Sequence, residues 1–163
     1  MISLNCVMTK KLIMVLSIIC FAYDSHAQIA LTFEQSARKG VPFKHLDSLY
    51  KSALHADTTL AVFKTSSEQA ALQNAYAQYL KKLGVFLQTN NFKWEKSVRC
   101  FNRIYMASNG AVEHFLFQFA PGQISAEKEK QFGNLLNKFV KTNIFGIMAS
   151  QKFAQCSPVK YSD

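Results

Sequence analysis

The chain has 163 residues, of which 49% are hydrophobic and 18% are charged, and its formal net charge at pH 7 is +9. This length indicates a single domain that is large enough to bury a core. After residue 28 no segment is long and apolar enough to span a membrane, which excludes a multispanning membrane protein.

The first predicted element is a secretory signal peptide over residues 1–27. Two lysines precede an apolar run over residues 12–22, and Ser25 and Ala27 are the small residues that cleavage requires. The run is much shorter than the roughly 20 residues of a membrane-spanning helix. We therefore expect export to the periplasm or out of the cell, with residues 28–163 as the mature domain and no transmembrane segment after cleavage. A retained N-terminal anchor is the alternative.

The positive charge predicts an anionic partner. A basic domain often binds nucleic acid, but export argues against nucleic acid, so we expect an envelope polyanion or an acidic protein face instead. The alternative is that the charge only keeps the domain soluble, because the lysines are scattered and only Lys81 and Lys82 are adjacent after the predicted signal peptide.

Two cysteines remain in the predicted mature domain, Cys100 and Cys156, since Cys6 and Cys20 lie in the signal peptide. An even number of cysteines in an oxidising compartment predicts a disulfide, which would tie the end of the chain to the strand that holds Cys100. The alternative is two separate buried thiols. A catalytic thiol is disfavoured, because neither cysteine has a C-x-x-C motif or an adjacent base.

The single domain divides into a mainly helical part, residues 28–96, and a hairpin–helix–strand part, residues 97–163. Apolar residues at helical spacing predict a short helix over residues 45–57. A longer apolar stripe predicts a second helix, which Ser66 or Ser67 can cap.

The strongest local signal is a β-hairpin over residues 97–119. Asn109-Gly110 lies between two alternating runs and predicts a two-residue type I′ turn. That turn sets a register in which Ile104 lies opposite Phe115, and it gives one largely apolar face that we assign to the core.

The other face of the hairpin is half polar and provides a candidate interaction face. It carries Arg99, Arg103, Tyr105 and His114. These side chains suit binding of an anion or stacking on an aromatic group. The alternative is a solvated sheet face whose arginine stems cover aromatic rings.

Ser125 is predicted to cap a helix that crosses the apolar face of the hairpin, and a final strand follows it. Pro158 lacks an N–H group, so this strand is expected at a sheet edge. An exposed edge can recruit a peptide strand by β-augmentation, although lysine and proline also blunt edges. The candidate edge residues are Gln155, Ser157, Val159 and Tyr161. The expected fold is α+β: N-terminal helices, then a small antiparallel sheet with one helix packed on a face.

Motifs for chemistry are absent from the sequence. There is no G-x-S-x-G, H-E-x-x-H, P-loop or G-x-G-x-x-G pattern. His45, His55 and His114 lack the spacing of metal ligands. We therefore predict no catalytic residue, no bound metal and no cofactor.

Residues 98–161 resemble the C-terminal domain of TonB-type energy transducers. The residues that carry the resemblance are Asn109-Gly110 at the hairpin tip, Ser125 at the start of the helix, and the closing run Ser157-Pro158-Val159-Lys160-Tyr161. The transmembrane anchor with a proline-rich spacer is missing. The resemblance therefore implies the hairpin–helix–strand fold and binding at a strand edge, but not energy transduction.

The leading functional hypothesis is a non-enzymatic envelope module that binds a protein or peptide through its sheet edge or its basic face. A first alternative is a carrier of a small apolar or aromatic ligand, held by residues such as Phe115, Phe117, Phe132 and Phe139. A second alternative is a hydrolase in which His114 meets an acidic residue and a hydroxyl.

Overall fold

A computed structural model describes residues 29–163, and it confirms the α+β class. The strands are β1 (Ile29–Thr32), β2 (Lys51–Ser52), β3 (Val98–Met106), β4 (Val112–Phe119) and β5 (Phe153–Tyr161). The helices are α1 (Phe33–Arg38), α2 (Phe43–Leu49), α3 (Ser66–Thr89) and α4 (Ala126–Thr142), with a short 3-10 turn at Thr58–Leu60. The predicted signal peptide lies outside the described residues.

The five strands form one mixed sheet in the order β1-β4-β3-β5-β2. The three central strands are antiparallel, as expected, but the outer strands β1 and β2 run parallel to β4 and β5. The prediction of a purely antiparallel sheet is therefore wrong, because the mainly helical part contributes a short strand to each edge. None of the helices in residues 29–163 has the length and apolarity needed to cross a bilayer.

Each long helix begins at a side-chain cap. Thr65, rather than either following serine, caps α3 in a reciprocal capping box with Glu68, while Ser125 caps α4 as predicted. The helix predicted over residues 45–57 is displaced and shorter, because the backbone becomes extended at Tyr50 and leads into β2.

The predicted register of the hairpin is confirmed between Cys100–Phe119 and Tyr105–His114, but the predicted turn is wrong. A type I′ turn needs positive φ at both central residues, whereas at the tip only Gly110 has one, with φ +82°. The tip is a three-residue connection in which the Gly110 N–H donates to the Ala107 carbonyl at 3.0 Å. The strands therefore slip by one residue at the tip.

Helices α3 and α4 cover one face of the sheet, here called the inner face, and α1 and α2 cover part of the opposite, outer face. The phenylalanines proposed to hold a small ligand are all fully buried on the inner side. Phe132 contacts Phe117 with ring centroids 5.1 Å apart, and Phe139 contacts Tyr79 at the same separation. Because these rings pack against one another, they fill the space that a carried ligand would need.

The predicted disulfide between Cys100 and Cys156 is wrong, since both are free thiols in the structure. Cys100 lies opposite Val159 on β5, whereas Cys156 lies opposite Arg103 on β3. Residues an odd number of positions apart point to opposite faces of a sheet, so Cys100 points into the core and Cys156 points out from the outer face. The two sulfur atoms cannot meet without rebuilding the strand pair.

The end of the chain is instead held by Trp94 and Asp163. The Trp94 ring stacks on Tyr161 with centroids 4.9 Å apart and an interplanar angle of 9°. The Asp163 carboxylate accepts the N–H groups of Trp94 and Glu95 at 2.8 and 2.9 Å. This clasp ties the last residues to the loop that follows α3, as the predicted disulfide would have tied them to β3.

Thiol labelling should distinguish the two cysteines. In a chain carrying Cys6→Ser and Cys20→Ser, we expect one thiol, Cys156, to react quickly with a maleimide in the native state. Cys100 is buried and should react only after denaturation, with no reductant needed. Mass spectrometry counts the labels, and Cys156→Ser is the control that should leave no fast thiol. If both thiols stay unreactive in denaturant until a reductant is added, the predicted disulfide is present after all.

Burial also makes Cys100 a source of alkaline instability. Desolvation raises its pKa from 9.0 to about 12, so above pH 9 the unfolded chain releases a proton that the folded chain retains. This contribution to stability is complete below pH 9 and is lost as pH rises toward 12, at up to about 1.4 kcal/mol per pH unit. Between pH 8 and pH 10, the free energy of unfolding measured in urea should therefore decrease less for Cys100→Ala than for the parent. Equal decreases in the two proteins would contradict this assignment.

Candidate interaction surface

The predicted interaction face lies on the outer side of β3 and β4, and α2 covers its centre. Tyr105 is fully buried there, and its hydroxyl donates to the Asp47 carboxylate at 2.8 Å. Arg103 pairs with the same carboxylate at 2.6 Å. Burial and the bond to Asp47 raise the pKa of Tyr105, so the phenol stays protonated as a donor. These two residues therefore fasten α2 to the sheet.

A second polar group lies beside this one, at the bulged end of β4. Glu113 accepts a hydrogen bond from the Tyr50 hydroxyl and another from Lys152 Nζ at 3.0 Å. The rings of His114 and Tyr105 lie 6.3 Å apart, and Tyr50 is 6.4 Å from the histidine. His114, a residue of the predicted interaction face, is therefore half-buried against two tyrosines.

This cluster bears on the hydrolase alternative, which requires a histidine, an acidic residue and a hydroxyl together. All three types are present, but Asp47 is held by Arg103, and Glu113 by Lys152. Such contacts join a helix and a loop to the sheet, and we assign the cluster a structural role. Within residues 29–163 no three His, Cys, Asp or Glu side chains gather as a metal site.

Three phenylalanines from α1, α2 and β3 lie together on the outer side of the sheet. Phe33 lies between the other two, with its ring centroid 5.7 Å from that of Phe43 and 6.0 Å from that of Phe101. Phe43 and Phe101 are each 39% exposed, which is high for so large an apolar side chain. We call these three residues the aromatic surface.

Basic residues border the aromatic surface on its sheet side. Arg99 and Lys160 are opposite each other in the β3–β5 register, and both are exposed. They lie two residues along their strands from Phe101 and its neighbour Pro158, on the same outer face. Of the four residues predicted to form the interaction face, only Arg99 belongs to this exposed region.

Sequence reasoning missed the aromatic surface because its members come from three separate elements. Phe33 opens α1 and Phe43 opens α2, whereas Phe101 is on β3. One signal was present: Phe101 alternates with core residues and therefore had to lie on the half-polar face. The two helical phenylalanines gave no such signal, because the faces of helices as short as α1 and α2 depend on how they pack.

The open edge of β5 offers less to a peptide strand than the sequence suggests. β2 pairs only with Phe153 and Ala154, and the Ala154 carbonyl accepts the Ala53 N–H at 2.8 Å. Backbone groups alternate in direction along an antiparallel strand, so Cys156, Pro158 and Lys160 have their backbone groups on the open side.

The predicted edge residues Gln155, Ser157, Val159 and Tyr161 therefore have their backbone groups turned toward β3, which corrects that prediction. Their side chains lie on the inner face, where Ser157 bonds to Tyr76 and Tyr161 is buried. Because Pro158 removes the central donor of the open edge, the strand can pair with a further strand only discontinuously.

The opposite edge, at β1, is closed by a side chain. The Asn137 amide on α4 accepts the Ala30 N–H and donates to the Ala30 carbonyl, both at 2.7 Å. It thus occupies the groups that a neighbouring strand would use. Neither edge of the sheet is consequently a favourable site for strand addition.

Comparison with protein-family models, with curated proteins and with solved structures gave no match for this chain. The resemblance of residues 98–161 to the C-terminal domain of TonB-type transducers stays a prediction. The order hairpin, helix, strand that this resemblance implied is present as β3, β4, α4 and β5.

Proposed function

We propose that the protein is an exported, non-enzymatic interaction module of the cell envelope that binds an acidic partner protein through the aromatic surface. The observation that carries this proposal is the exposure of Phe43 and Phe101 on the outer face. Aromatic side chains dominate the binding energy of protein interfaces, and arginine is enriched beside them. The export part of the proposal rests on the predicted signal peptide.

Charge favours an acidic partner. Arg99 and Lys160 border the aromatic surface, and the carboxylates on the two short helices that supply its other phenylalanines are paired, Asp47 with Arg103 and Glu34 with Arg38. Rim charges of this kind accelerate association with a partner of opposite sign and make binding sensitive to salt. The flanked phenylalanines would supply the affinity.

The backbone groups at the two sheet edges favour the outer face, rather than an edge, as the binding site. Pro158 lacks a donor on the open side of β5, and Asn137 occupies the polar groups of Ala30 at β1. Arg99, Phe101 and Lys160, by contrast, stand on the paired strands β3 and β5, which hold these three side chains in place without a partner.

Site-specific photo-crosslinking in the native host tests the proposal. A photoreactive amino acid at Phe101 should give one discrete adduct with an acidic protein, and Arg99→Glu combined with Lys160→Glu should abolish it. The matched control is the same amino acid at Leu60, which is 52% exposed and lies outside the aromatic surface.

The partner identified in this way would then be purified for binding measurements. Phe101→Ala should weaken its affinity at least tenfold, in line with aromatic hot spots, whereas Leu60→Ala should not. No adduct at Phe101, or the same adduct at Leu60, would contradict the proposal.

A further inference from the structure

A groove runs along the exposed side of α3, on the other side of the sheet from the aromatic surface. Three adjoining cavities of about 470, 320 and 410 Å³ make up the groove. The first and second share Gln78 and Lys82, and the second and third share Ala71 and Ile147. One wall is α3 and the other is mainly the segment 143–150.

The groove is bordered by three of the most exposed apolar side chains of the domain. Val85 is 56% exposed, Ile144 is 62% exposed and Met148 is 72% exposed, and each lines one of the three cavities. Exposed apolar residues that gather in one concave region mark interaction sites more reliably than scattered ones. Methionine in particular adapts its shape to different partners.

The wall formed by residues 143–150 also offers backbone donors. The N–H groups of Phe145 and Ala149 bond to the hairpin tip, at the carbonyls of Gly110 and Ser108, over 2.7 and 2.8 Å. Within the described residues 29–163, no hydrogen-bond partner accepts from the N–H groups of Gly146 and Met148. The tip thus holds this wall in place, and the two residues with unbonded N–H groups, Gly146 and Met148, line the second and third cavities.

Charge in the groove is one-sided. Lys81 and Lys82 line the cavity at the C-terminal end of α3. At the other end, the Glu68 carboxylate accepts the N–H groups of Lys64 and Thr65 at 2.8 and 2.9 Å as part of the helix cap. The groove is therefore positive at the end formed by Lys81 and Lys82, while the Glu68 carboxylate at the other end is engaged in the helix cap.

We infer that this groove binds an extended peptide that carries apolar side chains at alternate positions and an aspartate or glutamate at one end. From residue 68 to residue 89 α3 rises by about 32 Å, which matches an extended peptide of about ten residues. The apolar side chains enter the cavities, backbone carbonyls accept from Gly146 and Met148, and the carboxylate lies at Lys81 and Lys82. This inference does not depend on the proposed function of the aromatic surface.

Selection from a library of random ten-residue displayed peptides against the full chain tests the inference. Enriched peptides should share alternate apolar residues and an acidic residue near one end. A synthetic fluorescein-labelled copy of an enriched peptide then serves as the probe, and fluorescence polarisation measures its Kd. Replacement of its acidic residue by the matching amide should weaken binding several-fold.

Two groove variants and one control decide the outcome. Val85→Glu, and Lys81→Glu combined with Lys82→Glu, should each raise the Kd at least tenfold. Leu49→Glu is the matched control, because Leu49 is also 56% exposed but ends α2 on the outer side of the sheet; its Kd should not change. Absence of any enriched peptide, or peptides that bind Val85→Glu as well as they bind the parent, would overturn the inference.

Discussion

Replacement of Gly110 by alanine should lower the free energy of unfolding by about 3 kcal/mol, because two separate costs add at this position. Gly110 has φ +82°, a conformation that side chains disfavour. A Cβ atom there would lie 2.3 Å from the Phe145 carbonyl oxygen and 2.8 Å from that of Ile147. Both contacts are to backbone, so the segment 143–150 would have to move away from the hairpin tip.

Gly122 provides the matched control for this prediction. Its φ is +73°, yet a Cβ atom added there would meet nothing within 4 Å. Gly122→Ala should therefore cost only about 1 kcal/mol, the conformational part alone. Urea unfolding followed by circular dichroism measures both variants. Equal losses for the two would show that the hairpin tip and the segment 143–150 are not in close contact.

Truncation of Trp94 should have the largest effect on stability, a loss of about 3–5 kcal/mol in the free energy of unfolding. The indole is buried, stacks on Tyr161, and lies with its centroid 5.2 Å from that of Phe132 and 4.8 Å from that of Phe92. Trp94→Ala would leave a cavity where α4, β5 and the loop after α3 meet. The C-terminal clasp would lose its stacking partner at the same time.

Circular dichroism rather than fluorescence should follow the unfolding of this variant, since Trp94 is the one tryptophan in the chain. Phe43→Ala is the control, because it removes a partly exposed ring. It should lower the free energy of unfolding much less than Trp94→Ala does. If the Trp94→Ala variant unfolds within about 1 kcal/mol of the parent, the clasp does not hold the C-terminus.

The sequence was informative wherever one segment carries its own signal. The alternation of residues 97–119 predicted the hairpin and most of its register, because side-chain direction in a strand has period two. The apolar stripe of α3 and the cap of α4 at Ser125 were likewise local. The α+β class followed from these elements alone.

The candidate site was harder to predict from the sequence, because each of its parts depends on contacts between distant segments. Tyr105 was predicted to belong to a half-polar interaction face, whereas α2 lies over it and bonds to it through Asp47, a contact across 58 residues. Cys100 and Cys156 looked like a pair, since a count of cysteines carries no information about the faces on which they lie.

The sequence by itself thus determined the class of fold, the hairpin, the long helices and the basic character of the domain. Tertiary structure alone decided that β1 and β2 join the sheet in parallel, since strands of four and two residues give almost no periodic signal. It also decided which phenylalanines are core and which are surface. The hydrophobicity of a ring predicts only a preference for burial. Whether Phe101 is covered depends on where the short helices from another part of the chain pack on the sheet.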